Sequence, residues 1–340
     1  VGKLASCRAA DRVFCAVAIK EPVGDSAARA ADVETEEAVI VVQEKMKNAA
    51  GRQTPEIYDN LSDFKGVFVH QNEAQEFWDL GSRNSLLRYR EVLYVLVSRN
   101  LKVRYRGSLL GVYWSLLNPL IMTSVYTLIF GTAFASYYDN SILRYMLGAF
   151  SGLAVLNFFS SSTTQALTSI VLNGSLMNKI RLPVSIFPVS MIAANVFQFS
   201  VGALPLLVIM TLLISHSFVN VTALFLPLLA LVLVATGVGL LVSALFVFFR
   251  DLSYFYELVL FLLLISSPIF YPQEIVPANV RAILVFNPLS SIIASLRQIA
   301  ISGHAPDYSL IGHALLSGAL TLVVGWICFR RWHHQFMDLL

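Results

Sequence analysis

GSLLGVYWSLLNPLIMTSVYTLIFGTAFASYY, residues 107–138, contains no charged residue. A helix needs about 20 predominantly apolar residues to cross about 30 Å of hydrocarbon, and this run exceeds that length. Charge is absent again between Arg144 and Lys179 and between Arg181 and Arg250. In lipid an open backbone leaves N–H and C=O groups unpaired, so helices are the expected spanning structure. Six stretches qualify: Gly111–Ala135, Tyr145–Val171, Val184–Ile214, Val221–Phe249, Tyr254–Tyr271 and Leu310–Phe329. The third and fourth have no charge between them and are divided at the polar group Ser215, His216, Ser217 and Asn220.

Composition agrees with a membrane protein. Of 340 residues, 56% are hydrophobic and 13% charged, where a soluble domain carries about 25% charged residues. The net charge of +3 is unevenly spread: residues 1–85 hold 14 acids and 10 bases, and residues 86–340 hold 7 acids and 14 bases. That bulk balance gives no footing for a nucleic-acid partner. Cys7, Cys15 and Cys328 form neither a metal-ligand spacing nor a disulfide framework.

Basic residues near the span ends predict orientation. Arg88, Arg90, Arg99, Lys102, Arg104, Arg106, Lys179, Arg181, Arg250, Arg330 and Arg331 fall on one side, and Arg144, Arg281 and Arg297 on the other. The asymmetry places both termini in the cytoplasm, in agreement with an even number of spans. Residues 1–85 do not have the pattern of a signal peptide. Residue 1 is Val and the first Met is Met46. This region reads either as sequence ahead of the natural start or as a cytosolic extension, and residues 1–45 are expected to be dispensable.

Leu86–Arg106 reads as an amphipathic helix on the membrane surface. Arg88, Glu91, Arg99, Lys102 and Arg106 share one face; Leu86, Tyr89, Leu93, Leu96, Val97 and Leu101 share the other. Arg90 and Arg104 break the pattern. The helix is either a plain surface anchor or a platform for a partner, and its chemistry alone does not separate the two. Beyond the fifth stretch, Pro272–Ser309 contains Pro272, Pro277, Pro288 and Pro306 and apolar pieces too short to cross. Such pieces suit re-entrant or interfacial helices, so the segment is a candidate external gate.

No G-x-x-x-x-G-K-[ST] run occurs in the chain, so ATP is not expected to bind by that route. Ion-coupled carriers are marked by buried intramembrane acids, and Arg250, Asp251 and Glu257 all fall near a span end. An integral membrane enzyme would need His, Asp or Glu within the spans, where almost none occur. Tyr126, Phe130, Phe134 and Tyr137 recur at helical spacing, and Phe158 and Phe159 enter the second stretch. These rings suit either helix packing or a path along which the C–H faces of sugars slide.

The run Leu87-Arg88-Tyr89-Arg90-Glu91-Val92-Leu93 and, further on, Lys102-Val103-Arg104-Tyr105-Arg106-Gly107-Ser108-Leu109-Leu110-Gly111-Val112-Tyr113-Trp114 resembles the membrane subunit of polysaccharide ABC exporters, which move O-antigen, teichoic acid or capsule. Asn178-Lys179-Ile180-Arg181-Leu182-Pro183, Phe248-Phe249-Arg250-Asp251, Ser267-Pro268-Ile269-Phe270-Tyr271-Pro272 and Asn287-Pro288-Leu289 follow in the expected order. The resemblance runs from about Leu86 to the C-terminus; the extension of residues 1–85 departs from it.

It implies an all-α integral membrane protein of six transmembrane helices per protomer (residues 107–340), preceded by an interface helix (residues 86–106). It also implies a homodimer in the bacterial inner membrane, bound to two copies of a cytosolic ATPase. ATP and Mg²⁺ would be handled by that partner, with no cofactor on this chain. Arg88, Arg99, Lys102, Arg106, Lys179, Ile180, Arg181 and Pro183 would then be the ATPase-coupling contacts. Tyr126, Phe130, Phe134, Tyr137, Phe158 and Phe159 would line the path of a lipid-linked polysaccharide. The same fold could serve as a permease for a drug or small lipid, which neighbouring genes would discriminate.

Overall fold

The computed structural model describes residues 83–108, 111–179, 182–272, 275–277, 287–302 and 306–336. Among these residues the chain is helical and has no strand. Helix α1 (Arg83–Tyr105) leads through a turn into α2 (Trp114–Phe134). Then come α3 (Ile142–Leu172), the short α4 (Gly174–Lys179), α5 (Ile186–Val201) and α6 (Ala203–Ser215). They are followed by α7 (Phe218–Ala223), α8 (Phe225–Phe248), α9 (Leu252–Ser266), α10 (Pro288–Arg297) and α11 (Tyr308–Trp332).

Four segments are long and apolar enough to cross a membrane: Trp114–Tyr137, Ile142–Leu172, Phe218–Phe248 and Tyr308–Trp332. They coincide with the first, second, fourth and sixth predicted stretches. The third is a broken pair, α5 and α6, bent by 43°. Counted as one span, the pair brings the total among the described residues to five. The predicted division between the third and fourth stretches holds: α6 ends at Ser215 and His216 takes the left-handed conformation, φ 48°.

The fifth stretch is shorter than expected. Helix α9 has 15 residues, which at 1.5 Å per residue is about 22 Å. Its stop is chemical. Pro268 disfavours the helical conformation at the residue before it, and Ser267 is extended at φ −82°, ψ 133°.

Helix α1 lies where the surface helix was expected, but its buried seam is rotated. Val92 and Leu96 are buried, with Tyr89, Leu93 and Val95 packed around them. They meet Leu176, Ile186 and Phe187 and the ends of α8 and α11 near Val247, Phe329 and Phe336. A second, larger core joins α3, α6, α8, α10 and α11, from Phe150 and Val155 to Leu231 and Leu296.

Helices α8 and α11 cross backbone to backbone. A Cβ placed on Gly325 would overlap the Gly237 carbonyl, and one on Gly237 would overlap the Thr321 carbonyl. Small residues permit such an approach, and close packing is what holds helices together where lipid is as apolar as their side chains. In contrast, α2 and α9 are largely exposed, with Ile121, Leu128 and Ile129 on one and Tyr254, Leu258 and Leu262 on the other. These apolar faces suit lipid or a second copy of the chain.

Candidate functional site

Polar residues tie α1 to the spans. Arg99 donates to Asn173 Oδ1 at 2.9 Å, and the Asn173 amide donates in turn to the Ser169 carbonyl at 2.7 Å. One residue on, Asn100 Nδ2 donates to Ser190 Oγ at 3.3 Å. Tyr89 is pushed above the usual phenol range by burial, opposed by a hydrogen bond with Ser185.

Arg104, one of the two residues that break the predicted amphipathic pattern, points inward. Its guanidinium donates to Asn195 Oδ1 at 3.0 Å, and also to the side-chain oxygens of Gln198 and Gln165. Asn195, 3% exposed, donates to Gln165 Oε1 and to the Met191 carbonyl, both at 2.9 Å. A fork of five fixed N–H donors suits three acceptors converging from α3 and α5.

This node forms one wall of a cavity of about 350 Å³. Ser115 and Asn118 come from the start of α2, and Asn157 and Ser161 from the middle of α3. Trp114, Phe158 and Phe199 supply aromatic walls, with Phe158 set edge-on to Phe199 at 5.3 Å between centroids. Gly202, at the α5–α6 break, lets that bend pass α2, since a Cβ there would overlap Ser115 Oγ. Tyr105 lines the cavity too, with its hydroxyl enclosed beside Arg104. Burial raises its pKa, opposed by the Arg104 charge and by a hydrogen bond with Arg104.

At the far end of the spans, the aromatic stripe of α2 is continuous. Tyr126 stacks on Phe270 at 3.6 Å between centroids; Phe130 follows at 6.2 Å and Phe134 at a further 6.0 Å. Phe134 meets Tyr145 at 6.1 Å, and the Tyr145 hydroxyl donates to the Phe270 carbonyl at 2.9 Å. Phe130 and Tyr137 are open, at 37% and 50% exposure. The segment after α9 is tied down beside this ribbon. Arg297 donates to the Gly148 carbonyl at 3.3 Å and to the Ile269 carbonyl, and Asn287 donates to Ser267 Oγ at 2.9 Å.

The predicted residues divide accordingly. Tyr126, Phe130 and Phe134 form one ribbon, whereas Phe158 and Phe159 are 6% and 3% exposed and belong to the core. Phe158 still edges the Arg104 cavity; Phe159 does not line it. Lys102 on α1 and Arg106 just beyond its end are exposed, while Arg99 is turned to Asn173. Pro183 leads into α5, where its carbonyl accepts from the Ile186 N–H at 2.9 Å. Ile180, Arg181 and the side chains of Arg88 and Lys179 lie outside the described residues, as do residues 1–82. Gln165, Asn195 and Gln198 carry no charge and so do not stand out from the apolar runs that hold them. Neutral amides within apolar runs were the available signal, because such groups seek partners across helices.

A family model described as ABC-2 type transporter matches residues 91–301. The chain is 30% identical over 252 residues to the O-antigen export system permease protein RfbA of Klebsiella pneumoniae, covering 74% of this chain and 95% of that relative. It is 30% identical over 245 residues to RfbA of Myxococcus xanthus, covering 71% and 91%. With the capsule polysaccharide export inner-membrane protein CtrC of Neisseria meningitidis serogroup A it shares 23% identity over 253 residues, covering 73% and 93%.

Proposed function

Because the chain belongs to the ABC-2 type transporter family, we propose that it is the permease of an ATP-driven exporter that carries lipid-linked polysaccharide across the bacterial inner membrane. Relatives named for O-antigen and capsule export support the substrate class. In this reading the permease works as a dimer of six-span protomers, with α5 and α6 forming one bent span. Helix α9 and the residues after it form another, and both termini are cytoplasmic.

The energy comes from an ATPase subunit, two copies per complex, docked on α1 and on the segment from α4 to Pro183. Binding of ATP closes the partner, and the two docked segments pass that motion to the spans. Helix α1 suits this role because polar bonds from Arg99, Asn100 and Arg104 hold it to α3 and α5; a loosely held helix would absorb the motion. Lys102 and Arg106 are exposed and would meet the partner's surface.

The observation that carries the substrate reading is the ribbon of Phe270, Tyr126, Phe130 and Phe134. Stacked rings on a helix packed on one side give a smooth apolar wall without a deep site. A polymer must bind weakly enough to keep moving, as in any conduction path. Substitution Phe130→Ala tests this: surface glycan should fall while the complex still assembles and hydrolyses ATP. If the variant fails to accumulate, the ring serves packing and the path lies elsewhere.

A further inference from the structure

Helix α11 ends on a pair of cations that neither the coupling contacts nor the aromatic ribbon uses. Leu316, Leu320, Val323 and Ile327 recur at helical spacing and are all exposed. The opposite face, with Ala314, Gly318, Gly325 and Phe329, is buried. From Leu316 to Ile327 the exposed stripe rises about 16 Å, which matches one leaflet of a hydrocarbon core about 30 Å thick. Arg330 and Arg331 come three and four residues after Ile327. They therefore sit on the next turn, one to each side of the stripe. Both are exposed. Arg330 lends its carbonyl to His333 Nδ1 at 2.7 Å, but neither guanidinium has a hydrogen bond or ion pair among the described residues.

The base beneath these cations is fixed. Trp332 and Phe336 meet Phe248 at 6.1 and 6.0 Å between ring centroids, and Phe329 meets Phe336 at 5.6 Å. Phe336 is fully buried, in the same core as Val92 and Leu96 of α1. Just past α8, Arg250 adds a third cation at this end, over the Phe246 ring at 5.8 Å. The acids on the elements packed here, Glu91 on α1 and Asp251 beside Arg250, are exposed and form no ion pair among the described residues.

We propose that this end of α11 binds an anionic phospholipid, with one acyl chain along the stripe from Leu316 to Ile327 and the headgroup phosphate between Arg330 and Arg331. One such molecule matches both parts of the surface, since its chains are apolar over one leaflet and its phosphate lies just beyond them. A protein partner would meet the arginines and leave the stripe. Guanidinium favours phosphate through charge-assisted, bidentate bonds, and basic residues at the membrane surface attract anionic lipid. A ligand that binds the folded chain stabilises it, here where α11 is clasped by α1 and α8. The inference goes beyond the exporter reading and does not depend on the cargo.

The test offers the full chain, purified in detergent micelles, phosphatidylglycerol or phosphatidylcholine with identical acyl chains. Retained lipid is counted by native mass spectrometry, and the melting temperature is measured in parallel. The parent should retain phosphatidylglycerol preferentially and melt higher with it. Arg330→Gln/Arg331→Gln should reduce that preference roughly tenfold to thirtyfold, from about fivefold per basic residue at an anionic surface. Without lipid it should melt as the parent does, because the two side chains bond to nothing else. Arg144→Gln, the same charge change at the other end of the spans, should keep the preference. Equal retention of the two lipids by the parent would overturn the proposal, as would parent-like retention of phosphatidylglycerol by the double variant. If the double variant instead loses the ATPase subunit and keeps the lipid, the arginine pair belongs to that protein contact and the proposal is wrong.

Discussion

Arg104 and Gly325 show how single residues set the geometry. An arginine on the apolar side of a surface helix would ordinarily snorkel outward. Arg104 instead turns in, because three side-chain oxygens from α3 and α5 converge on its fork. Gly325 acts by having no side chain. Its neighbour is the Gly237 carbonyl, a backbone group that cannot rotate away. Gly325→Leu should therefore separate α8 from α11 and cost at least the ~1–3 kcal/mol typical of overpacking. The expected result is a lower melting temperature of the detergent-extracted protein. A matching change at Gly312, where a Cβ would meet nothing within 4 Å, should leave it unchanged. Equal behaviour of the two variants would remove the close crossing from the account.

At the scale of elements, α1 divides into a held side and an open side. Arg99, Asn100 and Arg104 bind it to the spans, while Lys102 and, just past the helix end, Arg106 are exposed. Reversing Lys102 and Arg106 to Glu should weaken copurification of the ATPase, or uncouple hydrolysis from export, without unfolding the spans. An unchanged complex and unchanged export would move the contact elsewhere. Much of this arrangement was legible in sequence. Runs without charge marked the spans, and the 3.6-residue period marked α1 and the aromatic stripe. The inward turn of Arg104 was not legible, because its partners are uncharged and lie 61, 91 and 94 residues away. The early end of α9 was written in Ser267-Pro268, but hydropathy continues through Ile269 and Phe270 and hides the break. The burial of Phe158 and Phe159 was hidden too, since α3 is apolar on several sides and periodicity does not separate core from path.

For the whole molecule, the polar node and the aromatic ribbon lie toward opposite ends of the same spans. The node sits where α1 meets α2 and α5, and the ribbon runs up the outer half of α2 to Phe270. The basic-residue asymmetry predicts that the node faces the cytoplasm. A cysteine at Asn140, in the exposed turn between α2 and α3, should therefore react with an impermeant thiol reagent applied from outside. One at Asn178, in α4, should not; the reverse pattern would invert both topology and transport direction. In the proposed exporter, energy reaches this chain through contact with its ATPase. The most direct measurement is ATP hydrolysis and glycan export with the subunits separated and recombined. The permease alone should hydrolyse no ATP, and adding its ATPase should give a complex with two copies of each subunit and restore glycan export in cells lacking both. Robust hydrolysis by this chain alone, or glycan export in cells lacking every such ATPase, would contradict the account.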